Sequence, residues 1–117
     1  MKEVRVGAVN YLNTKPLIHN LAQIAPHWVL DLQVPSHLAK DLAAEKLDIA
    51  LIPVIEYFRH PNYRIIPGIS IASDGPVLSV TLFSKVPWPE IKSISLDEGS
   101  KTSVALLKIL SKQFPNF

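Results

Sequence analysis

Apolar residues recur at two different periods along this chain, and the switching between them predicts its elements. Val4, Val6, Ala8 and Val9 make a short apolar run that reads as a buried strand. The polar stretch Asn10-Tyr11-Leu12-Asn13-Thr14 follows, and Leu17, Leu21 and Ile24 then fall at helical spacing, predicting a helix over 15–24. Pro16 suits the first turn of that helix, where its missing N–H costs nothing. Asn13 or Thr14 is placed to cap it, because a short side-chain oxygen can accept an orphan backbone N–H. Residues 28–33 alternate and predict a second strand. Ser36 is the expected cap of a second helix, with Leu38, Ala39, Leu42, Ala43 and Leu47 as its apolar stripe. Residues 48–52 form an apolar strand of the kind buried in a parallel sheet. Three strands with two intervening helices predict a β-α-β-α-β start, a parallel sheet and right-handed crossovers.

Beyond residue 53 the pattern predicts a short helical piece over 54–59, then a strand at 63–66 and extended chain at 69–72. Ser73-Asp74-Gly75-Pro76 reads as a turn. Residues 77–84, VLSVTLFS, alternate and predict a long strand. A loop or single helical turn is expected at 88–91, a strand at 93–97, and a second strand-to-helix elbow at 98–100. Val104, Leu107, Ile109 and Leu110 then mark an amphipathic helix over 101–113. The ten prolines and four glycines punctuate the chain at the spacing of short alternating elements.

Length and composition narrow this picture. The 117 residues suffice for one domain with a core, and 48% hydrophobic against 19% charged residues fits a folded chain. The formal net charge is +2, with basic residues scattered and no Lys/Arg run, so nucleic-acid binding is not expected. There are no cysteines, which removes disulfides, thiolate catalysis and cysteine–zinc sites. No apolar run reaches the length of a membrane span and no charged-then-apolar leader opens the chain, so the expected location is the cytoplasm, without membrane partners. The pattern does not specify an oligomeric state.

Classical catalytic arrangements are missing from the chain. His19, His27, His37 and His60 have no metal-ligand spacing, and no metal site is expected. No serine sits in a G-x-S-x-G elbow. Asp41, Glu45, Asp48 and Glu56 read as solvated charges or helix-end partners. The remaining candidates are small residues, most of them neutral and polar, at strand ends and helix starts: Asn13, Thr14, Ser36, Ser73, Asp74, Ser79, Gly99, Ser100, Thr102 and Ser103. Capping or turn chemistry accounts for each singly. Together, on the carboxyl edge of a parallel sheet, such hydroxyl, amide and helix-end donors would suit carboxylates.

The segments VGAVNYLNTKPL, LDIALIPVIEY, YRIIPGISIASDGPVLSVTLFSKVP and ISLDEGSKTSVALLKIL resemble the chorismate dehydratases of menaquinone biosynthesis, which act first in the futalosine route. The resemblance runs in order along essentially the whole chain; YLNTKPL with ASDGPVLSV is its specific part. It implies an α/β fold like type 2 periplasmic binding proteins, two lobes with the ligand between them. Members of the family are longer, so the chain is expected to hold one lobe (1–84, ending in the crossing strand) and the truncated start of a second (85–117), with a mostly parallel sheet. Alone, such a piece is expected to be inactive and poorly soluble or partly molten.

The resemblance further implies that chorismate is the small-molecule partner, that it loses water to give 3-[(1-carboxyvinyl)oxy]benzoate, and that no cofactor is needed. In the family pattern, the Asn of the YLN elbow and the Ser after GPV lie at the reacting centre; they match Asn13 and Ser79. Tyr11, Thr14 and Ser36 are expected to bind substrate, and Thr102 and Ser103 to hold a carboxylate. The alternative is a solute-binding protein, or a non-catalytic carboxylate-binding lobe of the same fold.

Overall fold

The structure, a computed structural model, describes residues 2–113. It divides into two compact units, Met1–Ile71 and Ala72–Phe117.

The first unit is α/β. Strand β1 (Val4–Val9) is the centre of a three-stranded sheet, flanked by β2 (Trp28–Gln33) and β3 (Ile49–Ala50). Both pairings are parallel, as the β-α-β-α-β pattern predicts. Val4 faces Trp28 and Val9 faces Gln33 on one side, while Val6 and Gly7 face Ile49 and Ala50 on the other. The sheet's order, β2-β1-β3, puts the first strand in the middle, where its residues are covered on both sides. Val6, Ala8 and Val9 are buried accordingly.

Helix α3 (Pro35–Ala43) closes one face of the sheet. Its Leu38 is fully buried and packs with Val9 and Leu47, with Leu42, Ala50, Leu51 and Ile52 around them. Gly7 makes this approach feasible. A Cβ at that position would lie 2.6 Å from both Leu38 Cδ2 and Leu47 Cδ1, well inside van der Waals contact. The glycine thus serves close packing of helix on strand.

Several expectations for this unit need correction. The helix expected over 15–24 is two short helices, α1 (Lys15–Ile18) and α2 (Leu21–Ile24). His19 leaves the helical conformation and Asn20 turns left-handed, at φ 56°. Asn is among the few residues that tolerate that conformation, so the helical spacing survives while the helix does not. Ser36 is not the cap of α3. The chain is still extended at Val34, and Pro35 opens the helix with Ser36 as its second residue. The strand expected over 48–52 shortens to β3, although Asp48 and Leu51 each donate a backbone hydrogen bond to β1 just beyond the ends of the two-residue ladder. Helix α4 (Val54–Arg59) forms where expected.

No strand forms at 63–66, 69–72, 77–84 or 93–97; these stretches run without a ladder partner among the described residues. Strand geometry needs a neighbour to take up its N–H and C=O groups. In 77–84 the chain turns at Leu78 and Ser79, and the Thr81 hydroxyl donates back to the Leu78 carbonyl at 3.0 Å. Such local bonds compete with a ladder that is not there. Gly75, at φ 101°, supplies the expected turn, with the Ser73 hydroxyl donating to its carbonyl. A single 3-10 turn, Trp88–Glu90, stands where a loop or helical turn was expected. Helix α5 (Lys101–Gln113) has the expected bounds.

Candidate functional site

The register of the sheet gathers three elbows on one edge. Strands β1, β2 and β3 are parallel, so the segments leaving their carboxyl ends emerge on the same side. These are 10–14 after β1, Val34 to Ser36 after β2, and 51–53 after β3. The backbone links them directly: Asn10 N–H donates to the Gln33 carbonyl at 3.2 Å, and Leu51 N–H donates to the Gly7 carbonyl at 3.0 Å. Ligands of open α/β sheets bind outside this edge, where strand ends and helix starts converge.

The first elbow is a 3-10 turn, Leu12–Thr14, closed by Thr14 N–H donating to the Tyr11 carbonyl at 3.1 Å. It runs straight into α1. Thr14 is therefore already helical, at φ −81° and ψ −24°, and no side-chain bond caps the helix. This overturns the capping role expected of Asn13 or Thr14. A capping side chain reaches the free N–H groups when its own backbone is extended, and here the 3-10 turn leads into the helix without an extended residue between them. Tyr11 and Asn13 are exposed, whereas Thr14 is fully buried and its hydroxyl finds no partner. Leaving a buried hydroxyl unpaired costs about 1–3 kcal/mol. Ser36, half-buried in the first turn of α3, lies on the same edge.

The other expected residues belong to the second unit. Ser79 is exposed in the turn that replaces the strand. Thr102 and Ser103 sit in the first turn of α5, half-buried. The Ser100 hydroxyl donates to Ser103 Oγ at 2.7 Å, and Gly99 N–H donates to Asp97 Oδ1 at 2.9 Å, which shapes the approach to the helix. Tyr11, Asn13, Thr14 and Ser36 are thus brought to one sheet edge, while Ser79, Thr102 and Ser103 are carried by the second unit.

Three acidic residues read as solvated charges or helix-end partners turn out to be engaged by side chains. Asp48 takes a bidentate grip from Arg5, with Nε at 3.0 Å and Nη2 at 2.9 Å, and also accepts from the Arg5 backbone N–H at 2.8 Å. These bonds hold the Asp48 carboxyl well below the usual carboxylate range. They pin the start of β3 to β1 at the amino edge of the sheet, away from the elbows. Asp41 accepts from Gln33 Nε2 and pairs with Lys46, and both interactions lower its pKa, the Gln33 bond the more strongly. Gln33 Nε2 also donates to Asp31, so one amide ties the end of β2 to α3.

Glu56, in the first turn of α4, is buried at 5% exposure. Arg59 donates to it at 3.1 Å and His60 Nε2 lies 3.7 Å away. The His60 ring stacks on Tyr63, whose hydroxyl is pushed up in pKa by burial and by the nearby Glu56 charge. Glu–Arg at three-residue spacing was visible in the sequence, but its burial was not. Among the described residues no group of three or more His, Asp or Glu could hold a metal ion, and no helix is long and apolar enough to cross a membrane.

A family profile described as menaquinone biosynthesis matches residues 4–117. The chain belongs to this family. It is 33% identical over 114 residues to a chorismate dehydratase from Thermus thermophilus, covering 97% of this chain and 41% of that protein. The chain therefore spans about two fifths of the length of the curated relative it matches. No solved structure matches it. The match runs through both units, and so includes the elbow at 10–14, the turn carrying Ser79 and the start of α5.

Proposed function

We propose that this chain carries part of a chorismate dehydratase of menaquinone biosynthesis, a carbon–oxygen lyase. The observation that carries the reading is the 33% identity to a chorismate dehydratase along 97% of the chain. The convergence of three elbows on one sheet edge, the edge outside which open α/β sheets bind ligands, supports the reading. The finer architecture in this reading is that of type 2 periplasmic binding proteins, with 1–84 as most of one lobe and 85–117 as the opening of a second.

The reaction removes water from chorismate. The ring C–H bond beside the enolpyruvyl ether breaks, its electron pair becomes a ring π bond, and the neighbouring C–O bond releases the hydroxyl. Proton and hydroxide leave as water, and the ring becomes aromatic in 3-[(1-carboxyvinyl)oxy]benzoate. The balance needs neither oxidant nor reductant. What the protein supplies is orientation of a dicarboxylate and donors aimed at developing negative charge.

In this scheme Asn13, exposed on the first elbow, orients the reacting groups by hydrogen bonding. Ser79 is assigned hydrogen bonding or proton handling in the reaction. Tyr11 and Ser36 line the substrate on the sheet edge, and Thr14, buried in the first elbow, joins them where the elbow opens around it. Thr102 and Ser103, in the first turn of the thirteen-residue helix α5, hold a carboxylate at the positive end of the helix.

The test is incubation of the complete protein with chorismate, followed by ultraviolet absorbance and product mass. Loss of one water with a new aromatic chromophore supports the proposal. Chorismate bound and recovered unchanged would leave a binding protein. Asn13→Ala and Ser79→Ala should each lower turnover by about a hundredfold, the scale of one removed transition-state donor. Normal turnover in both variants would remove the site assignment.

A further inference from the structure

The donors assigned to the substrate on the first elbow are neutral, yet the substrate is a dianion. Lys15 follows Thr14 directly, as the first residue of α1. It is exposed, and among the described residues no carboxylate pairs with it. The other cations of the sheet and its helices are either occupied or elsewhere. Arg5 is held by Asp48 at the amino edge, Lys46 by Asp41 and Arg59 by Glu56. Lys2 precedes β1 at the amino edge, and Lys40 lies in the last turn of α3.

The local sequence offers Lys15 no counter-charge, since no Asp or Glu occurs between Glu3 and Asp31. A second group at the same place also lacks a partner: the adjacent Thr14 hydroxyl, fully buried and without a hydrogen bond. A buried hydroxyl is costly unless something bonds to it, and a small opening of the elbow would let it donate to an oxygen anion held there. Two consecutive residues on the ligand-binding edge, one a cation and one a hydroxyl donor, are thus both unsatisfied.

We infer that Lys15 is the specificity-determining cation of the first elbow, binding one carboxylate of the dicarboxylate substrate. The inference rests on the chorismate reading above and deepens it. Lys15 acts on binding and not on the bond changes: its ammonium neutralises a carboxylate in the ground state and the transition state alike, which changes KM and leaves kcat in place.

The experiment compares wild type, Lys15→Met and Lys15→Arg in the complete protein, with chorismate as substrate at low and physiological salt. The expected result is a KM raised about tenfold or more in Lys15→Met, the scale of one lost charge-assisted hydrogen bond, with kcat within about threefold. Lys15→Arg, which keeps the charge, should restore most of the affinity. The wild-type KM should rise as salt shortens the screening length from about 30 Å at 0.01 M to about 8 Å at 0.15 M, and this dependence should weaken in Lys15→Met. Wild-type turnover with KM unchanged in Lys15→Met, or a salt response identical in both, overturns the role of Lys15 and leaves the dehydratase reading standing. A wild-type protein that neither binds nor converts chorismate overturns both. Since Lys15 is exposed, a circular-dichroism melting curve matching wild type is expected for each variant.

Discussion

Two stretches of this chain carry nearly the same strand pattern and meet opposite fates. VRVGAV, at Val4–Val9, is β1, paired on both sides and buried along most of its length. VLSVTLF, at 77–83, is just as apolar yet has no ladder partner among the described residues; Leu78 is 99% and Phe83 88% exposed. β-propensity describes how a side chain suits a pleated, half-buried surface, and it yields a strand only where a neighbour supplies one. β1 acquires its neighbours from segments less than fifty residues away through two parallel crossovers. The stretch at 77–83 has none, so local bonds such as Thr81 to Leu78 shape it instead.

The sharpest way to break the comparison is one substitution made in both regions. Leu38→Ala empties a fully buried position against β1 and should cost about 3 kcal/mol. Leu78→Ala removes a side chain that is already in water and should change stability by less than about 0.5 kcal/mol. Urea unfolding midpoints measured side by side check both. Equal losses would mean that the leucine of the second stretch is buried in solution.

A smaller effect is expected where helix and strand meet most closely. Gly7→Val places three carbons where even one would overlap Leu38 and Leu47, and should cost about 2 kcal/mol by overpacking. A shifted thermal midpoint would show it, and an unchanged one would mean that α3 is free to move off the sheet.

The smallest expected effect concerns the amino edge. The Arg5 bonds depress the folded-state pKa of Asp48 below its unfolded value of about 3.9. The stabilisation is therefore fully present above the unfolded value and is lost as pH falls through the folded one. The pair is partly exposed and screened, so its contribution is small. Asp48→Asn should lower stability slightly at neutral pH and leave it unchanged in acid, which flattens the acid limb in urea titrations below pH ~4. An acid limb identical to wild type would mean that the pair is not formed in solution.

The candidate site was legible unevenly. Asn13, Tyr11 and Thr14 could be singled out as candidates because a strand ending in a polar elbow before a proline-opened helix is a local pattern. That Thr14 would be buried without a partner was not legible, since burial depends on how the elbow folds against the sheet. The engaged states of Asp48 and Glu56 were missed for similar reasons. Arg5 and Asp48 are 43 positions apart and meet only through strand register, while the Glu56–Arg59 pair is local but its burial is not. Gly7 gave no signal at all in the sequence, since its role is the distance between two elements.

By itself the sequence determined the local facts: the bounds of β1, β2, α4 and α5, the parallel β-α-β-α-β order, the turn at Gly75, and the polar elbows at the strand ends. Each follows from hydrophobic period and from which residues accept which backbone angles. Only the tertiary structure decided that β1 is central, that the helix expected over 15–24 breaks at Asn20, that Ser36 lies inside its helix, and that 77–84 is no strand. Pairing and burial are relations between segments distant in sequence, and alternation within one segment cannot specify whether a partner is present.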